Sequence, residues 1–143
     1  MLISTKGRYA LRVLIDMAEQ QAAGYIPLKE IAQRQEISEK YLESIIKILV
    51  KAGVVDGLRG KGGGYRLNKA PDQISVDTIL GLTEGTLSPV SCLEEGAAPC
   101  EKMSCCRTLE LWRGLDRVIH DYLNQYTIAD LVRDHAPGDD YVI

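Results

Sequence analysis

Five glycines fall within the eight residues from Gly57 to Gly64, in the stretch VVDGLRGKGGGYRLNK. The stretch reads as two short strands joined by a glycine-rich turn. The glycines let the backbone turn tightly and approach another surface closely. Arg59, Gly60 and Lys61 form the tip of this hairpin. What a basic hairpin of this kind belongs to depends on the chain ahead of it.

KGRYALRVLIDMAEQQ carries Tyr9, Ala10, Val13, Leu14, Met17 and Ala18 at helical spacing, and Gly24 stops the run. IPLKEIAQRQ follows as a short helix, with Pro27 at or just before its first turn. After the turn QEIS, Ser38 caps a third helix, EKYLESIIKILVKAG, closed by Gly53. Its apolar stripe is Tyr41, Leu42, Ile45, Ile46 and Leu49. Lys40, Glu43, Ser44, Lys47 and Lys51 lie away from that stripe. Short helix, tight turn and longer helix make a helix-turn-helix, and a basic hairpin after it makes a winged helix. Such a unit places its second helix in the major groove of DNA and its wing along the backbone or minor groove. The candidate DNA-binding residues are Ser38, Lys40, Tyr41, Glu43, Ser44, Lys47, Arg59, Gly60 and Lys61.

Charge bears on this reading. The net charge of -3 argues weakly against a polyanionic partner, but it averages two unlike halves. Residues 1–70 hold twelve Lys or Arg against seven Asp or Glu, whereas residues 71–143 hold five against thirteen. A basic front half and an acidic back half suggest that only the front half faces nucleic acid. A winged helix used only for protein contacts is the blander possibility, and the basic wing tip weighs against it. GKGGG superficially resembles a phosphate-binding turn, but that motif needs a Lys-Ser or Lys-Thr pair opening a helix, and here YRL follows.

Beyond Pro71, SVDTILGLTEG reads as a short helix capped by Ser75. RTLELWRGLDRVIHDYLNQY is a long helix with Ser104 as a cap. Leu111, Trp112, Leu115, Val118, Ile119, Tyr122 and Tyr126 form a stripe at alternating three- and four-residue spacing. Lying outside a small winged domain, that stripe is expected to bury itself against a second copy of the chain. Thr127 caps a last short helix, IADLVRDH, and residues 136–143 read as a frayed tail. No apolar run approaches bilayer length, and the N-terminus lacks the features of a signal peptide. A cytoplasmic protein without membrane contact is expected.

All four cysteines fall in CLEEGAAPCEKMSCC, residues 92–106. A disulfide framework is disfavoured in a reducing cytoplasm. Structural zinc usually recruits close C-x-x-C pairs, and none exists here. Inert core cysteines fit badly among Glu94, Glu95, Glu101 and Lys102. An iron–sulfur cluster suits loop-borne thiolates at loose spacing, and with a DNA-binding wing it would make a redox- or iron-responsive regulator.

STKGRYALRVLIDMA, ISEKYLE, RGKGGGYRL and a cysteine loop ahead of LW together resemble the Rrf2 family of bacterial winged-helix regulators, those of the IscR, NsrR and CymR type. The resemblance runs from residue 1 to about 133 and is greatest to the IscR type, the cluster-binding branch. It implies a mainly α fold with a small β-hairpin: a winged helix-turn-helix over residues 1–70, a linking helix over 71–91, a cysteine loop over 92–106, and dimerisation and C-terminal helices over 107–135. It also implies a homodimer on a palindromic operator in double-stranded DNA, with a [2Fe–2S] cluster held by Cys92, Cys100 and Cys106. Cys105 is then an extra thiol.

The chain departs from that pattern at the fourth ligand. The IscR type has a histidine three residues before the tryptophan, where Leu109 stands here. His120 lies roughly 20 Å beyond Cys106 along a helix. Nitric-oxide-sensing members take a carboxylate from the partner's first helix, and Arg8 stands at that position. Cys105 is the first candidate, ahead of Glu110 or a partner-subunit group, and a [4Fe–4S] cluster stays open. By the same resemblance, Glu43 matches a glutamate that disfavours some operators unless the cluster is bound, and Arg59 matches a wing arginine that enters the minor groove. Two other functions stand beside this one. One is a cluster-free regulator controlled by a partner protein or by oxidation of Cys105 and Cys106. The other is a thiol oxidoreductase, weakened by the lack of C-x-x-C and of any cofactor fingerprint.

Overall fold

The computed structural model describes residues 2–98 and 100–133. Six helices and one hairpin follow in the order α1 (Thr5–Glu19), α2 (Leu28–Gln35), α3 (Glu39–Lys51), β1 (Val55–Leu58), β2 (Gly64–Leu67), α4 (Val76–Glu84), α5 (Leu109–Asn124) and α6 (Ile128–Arg133). The fold is mainly helical, with a winged helix-turn-helix at its front, as the sequence patterning predicts.

Side-chain caps set several helix starts. Ser4 Oγ accepts the Gly7 N–H, Ser38 Oγ accepts the Tyr41 N–H at 3.1 Å, and Ser75 Oγ accepts the Thr78 N–H. Gly53 follows α3 at φ 76°, a conformation that costs glycine little. The stripe of α3 behaves as its periodicity predicts: Leu42, Ile45, Ile46 and Leu49 are all fully buried. They meet Ala10, Val13, Leu14 and Met17 of α1 and Ile31 of α2 in the principal core. α1 is the hub, packing against α2, α3, α4 and α6, and Ile128 of α6 enters the same core.

β1 and β2 pair antiparallel, with Val55 opposite Leu67, Asp56 opposite Arg66, Gly57 opposite Tyr65 and Leu58 opposite Gly64. The segment entering α2 adds a third, one-residue rung: the Ile26 N–H donates to the Tyr65 carbonyl at 2.9 Å and the Tyr65 N–H to the Ile26 carbonyl at 2.8 Å. Gly64 sits at φ 152° against this rung, and a Cβ there would collide with the Ile26 carbonyl. The wing is thereby fastened to the start of the helix-turn-helix.

Two expectations for the C-terminal half are corrected. The long helix starts at Leu109, not at Arg107, and Ser104 does not cap it. Residues 100–105 are spent in tight turns, in which the Met103 N–H donates to the Cys100 carbonyl and the Cys105 N–H to the Lys102 carbonyl. The apolar stripe of α5 is also divided. Ile119 and Tyr126, with Leu123, pack inside the chain on a second core of Val76, Leu80 and Leu87. Leu111, Leu115, Val118 and Tyr122 stay exposed. The division arises because α5 is packed from one side: α4 is its main helical neighbour, and a single neighbouring helix covers only one flank. The C-terminal end of the last predicted helix and the tail at 136–143 lie outside the described residues.

Candidate nucleic-acid interface and cysteine loop

The outer face of α3 carries Lys40, Glu43, Lys47 and Lys51, all exposed. Ser38 is at the N-cap of the same helix. Ser44 is half-buried and its hydroxyl donates to the Tyr41 carbonyl at 2.6 Å, one turn back. Tyr41 is also half-buried, and its ring meets Tyr9 of α1 edge-on at 6.0 Å. Arg59, Gly60 and Lys61 occupy the exposed tip of the hairpin. The turn is closed by the Gly63 N–H on the Gly60 carbonyl at 3.0 Å. Positive φ angles at Gly60 and Gly62 hold that turn open to solvent without side-chain strain.

Between α3 and the hairpin lies an open cleft of about 830 Å³. Lys29, Lys47, Lys51 and Arg59 line it, with Asp56 as the one carboxylate among the lining residues. Such a cationic trough attracts a phosphate backbone, because neutralised phosphates release condensed counterions. Sequence reasoning brought Lys47, Lys51 and Arg59 to this surface. It missed Lys29, and it missed the cluster that Tyr25 forms with Asp56 and Arg66 of the hairpin. Tyr25 and Arg66 are far apart in sequence and neither lies on a periodic stripe, so no local signal joins them.

The cysteine loop follows α4. Cys92 sits in a single 3-10 turn, Ser91–Leu93, and is half-buried, whereas Cys100, Cys105 and Cys106 are exposed. All four are free thiols. Cys106 Sγ lies 3.5 Å from Thr108 Oγ1, just ahead of α5. The Thr108 hydroxyl and backbone N–H first, then the Leu109 N–H and Lys102, hold the Cys106 thiol below its usual pKa, with desolvation opposing them. Among the described residues no three Cys, His, Asp or Glu side chains are gathered as a ligand set. The donor chemistry nevertheless suits a thiolate-bound cluster: the thiols are unspent in disulfides or core, and the one nearest the helix ionises more readily than an ordinary thiol.

The other fourth-ligand positions are placed as follows. Leu109 is buried at 7% exposure. His120 Nδ1 lies 2.7 Å from Asp77 Oδ1 of α4, and its Nε2 3.6 Å from Asp116 Oδ1. Glu110 pairs with Arg113 at 2.7 Å. Arg8 donates to the Thr5 hydroxyl at 3.2 Å.

A helix-turn-helix with a basic wing fastened to it, and a cationic trough between them, defines a DNA-binding transcriptional regulator. The family model "Iron-dependent Transcriptional regulator" of the Rrf2 family matches residues 3–134. The chain belongs to the Rrf2 family, whose members regulate transcription and are not enzymes. It is 39% identical over 132 residues to an HTH-type transcriptional regulator IscR of Erwinia tasmaniensis, covering 92% of this chain and 79% of that one. Among solved structures, CymR, the global cysteine regulator of B. subtilis, superposes with a TM-score of 0.77 at 37% identity, over 95% of this chain and 99% of that one. The IscR of T. potens superposes with a TM-score of 0.75 at 32% identity, over 99% and 93%. Among the described residues no helix is long and apolar enough to cross a membrane.

Proposed function

We propose that this chain acts in the cytoplasm as a homodimeric regulator, most simply a repressor, on a palindromic operator, and that an iron–sulfur cluster on the cysteine loop controls its DNA affinity. The observation that carries this reading is the gathering of every cysteine of the chain into one loop, free and almost entirely exposed, in a member of this family. Cys92, Cys100 and Cys106 would hold the cluster, with Cys105 the first candidate for the fourth ligand. A bound [2Fe–2S] cluster supplies a centre whose oxidation state and integrity follow iron, oxidant or nitric oxide.

The chain's own residues then account for DNA binding. Lys47 and Lys51 face phosphates from the recognition helix, and Arg59 and Lys61 face the backbone or minor groove from the wing. Glu43 stands among these cations on the same helix face. Its carboxylate opposes phosphates and base acceptors and is accommodated only where a cytosine amino group meets it. Glu43 therefore selects among operators. Lys40 makes a further base contact, and Ser44, whose proton is held by the Tyr41 carbonyl, can only accept one.

Anaerobic purification with iron and sulfide assay tests the cluster. Red-brown protein with stoichiometric iron, colourless after Cys92→Ser, Cys100→Ser or Cys106→Ser, is expected. One observation favours a second reading: Cys105 and Cys106 are adjacent and exposed, and the Cys106 thiol is held toward its ionised form. Colourless protein whose DNA binding responds to thiol oxidation would replace the cluster with a thiol switch.

A further inference from the structure

We propose that Tyr25 is a positioning residue for DNA binding: with Asp56 and Arg66 it forms a latch that fixes the angle of the wing to the recognition helix. The role rests on the reading of Arg59 as a groove contact.

The wing needs such a device. Two four-residue strands are marginal alone, and only Val55 of the two is fully buried. The pair Asp56 and Arg66 stands directly cross-strand. Tyr25, just ahead of the Ile26–Tyr65 rung, closes over both. Its hydroxyl donates to Asp56 Oδ2 at 2.8 Å, and its ring lies under the Arg66 guanidinium at 4.4 Å. Arg66 Nε in turn lies 3.8 Å from Asp56 Oδ2. Asp56 and Arg66 can pair without Tyr25, but that pair joins the hairpin only to itself. Tyr25 joins it to the segment that becomes α2, and α2 packs on α3.

Geometry makes this joint matter for the tip. Arg59 is three residues past Asp56, about 10 Å along an extended strand. A rotation of about 10° at the latch therefore moves the start of the tip by about 2 Å. That is enough to break a contact held to hydrogen-bond tolerance. The latch has an electrostatic consequence as well. Asp56 is the carboxylate of the cationic cleft. A hydrogen bond from Tyr25 and the Arg66 cation beside it partly offset that charge where a phosphate would approach.

The test uses full-length protein and the tightest duplex that it selects from a randomised DNA pool. Tyr25→Phe keeps the ring on Arg66 and removes only the hydroxyl. Arg59→Ala alone should weaken anisotropy-measured binding by about tenfold. Tyr25→Phe should weaken it severalfold with little change in Tm, and Arg59→Ala should cost little more in the Tyr25→Phe background. In the free protein, the Ile26 and Tyr65 amides should exchange faster with deuterium in Tyr25→Phe than in the parent. Undiminished Arg59→Ala loss in both backgrounds, or unchanged exchange at those two amides, overturns the latch. If Arg59→Ala is silent in the parent itself, the groove contact fails and takes the positioning role with it, whatever the exchange shows.

Discussion

Arg34 of α2 grips Asp16 of α1 with two nitrogens: Nε lies 2.9 Å from Oδ2 and Nη2 lies 2.8 Å from Oδ1. The Asp16 side chain is only 4% exposed, and Gln35 Nε2 adds a third donor at 2.9 Å. Asp16 is the one charged side chain among the buried residues described. The pair fixes the first helix of the helix-turn-helix onto the hub of the fold.

Removing one side of this pair should cost more than removing both. Arg34→Ala leaves a buried carboxylate with Gln35 alone. A loss of about 2–3 kcal/mol is expected, a fall in Tm of roughly 5–10 °C by circular dichroism. Arg34→Lys should recover part of it, because a lysine cannot reproduce the two-nitrogen grip. The double change Asp16→Leu with Arg34→Met should be more stable than Arg34→Ala. If Arg34→Ala melts with the parent, the pair is a surface contact of no consequence.

The turn between α2 and α3 holds the only non-glycine residue with positive φ among the described residues. Glu36 stands at φ 55°, ψ 44°, where glycine is usual after a helix. Glu36→Gly should raise the urea midpoint, with a gain of about 1 kcal/mol, by relieving the clash of Cβ with the backbone. Glu36→Val should lower it. A Glu36→Gly variant less stable than the parent would mean that the glutamate side chain itself supports the turn.

The same turn shows where the sequence stops being legible. QEIS reads as a turn from its length and from Ser38 as a cap, but nothing in Glu36 announces a left-handed residue. Periodic and capping signals are local, so the stripe of α3 and the starts at Ser38 and Ser75 could be read directly. The glycine run likewise marks the hairpin, though not that Gly64 must yield space to Ile26. The start of α5 is not legible because RTLELW continues the helical pattern backward, while turns at Cys100 to Cys105 occupy the preceding chain. The division of the α5 stripe depends on which flank α4 reaches, and the latch joins Tyr25 to residues thirty-one and forty-one positions away. Such pairings are made by the tertiary fold and leave no periodic trace.

Acid stability should depend on Asp130. Its carboxylate accepts the Thr127 N–H at 2.9 Å and the Thr127 hydroxyl at 3.0 Å, and Arg133 lies beside it. The Thr127 hydroxyl in turn accepts the Asp130 N–H, a reciprocal cap at the start of α6. These contacts, the Thr127 backbone first, hold the Asp130 pKa below the usual carboxylate value. A carboxyl with a depressed folded pKa stabilises the fold above its unfolded value, about 3.9, and that contribution is lost as pH falls through the folded one. Asp130→Asn should therefore narrow the difference in Tm between pH 7 and pH 3. An identical pH profile in both proteins would show that the cap does not couple to folding.

The exposed half of the α5 stripe bears on assembly. Leu111, Leu115, Val118 and Tyr122 recur at spacings of four, three and four and are 62%, 40%, 63% and 55% exposed. That spacing draws one apolar line along the helix, on the flank that the second core leaves uncovered. In the proposed homodimer this line is the contact with the partner's α5. The parent should sediment as a dimer at micromolar concentration. Leu115→Glu sets a carboxylate in the middle of the line and should yield a monomer. Because Leu115 belongs to neither buried core, that monomer should keep its helical circular dichroism. Ile119→Glu is the contrast: Ile119 packs on Val76, Leu80 and Leu87, so its replacement should unfold the C-terminal half. A parent that is monomeric at these concentrations, or a Leu115→Glu variant that remains a dimer, would remove α5 as the interface.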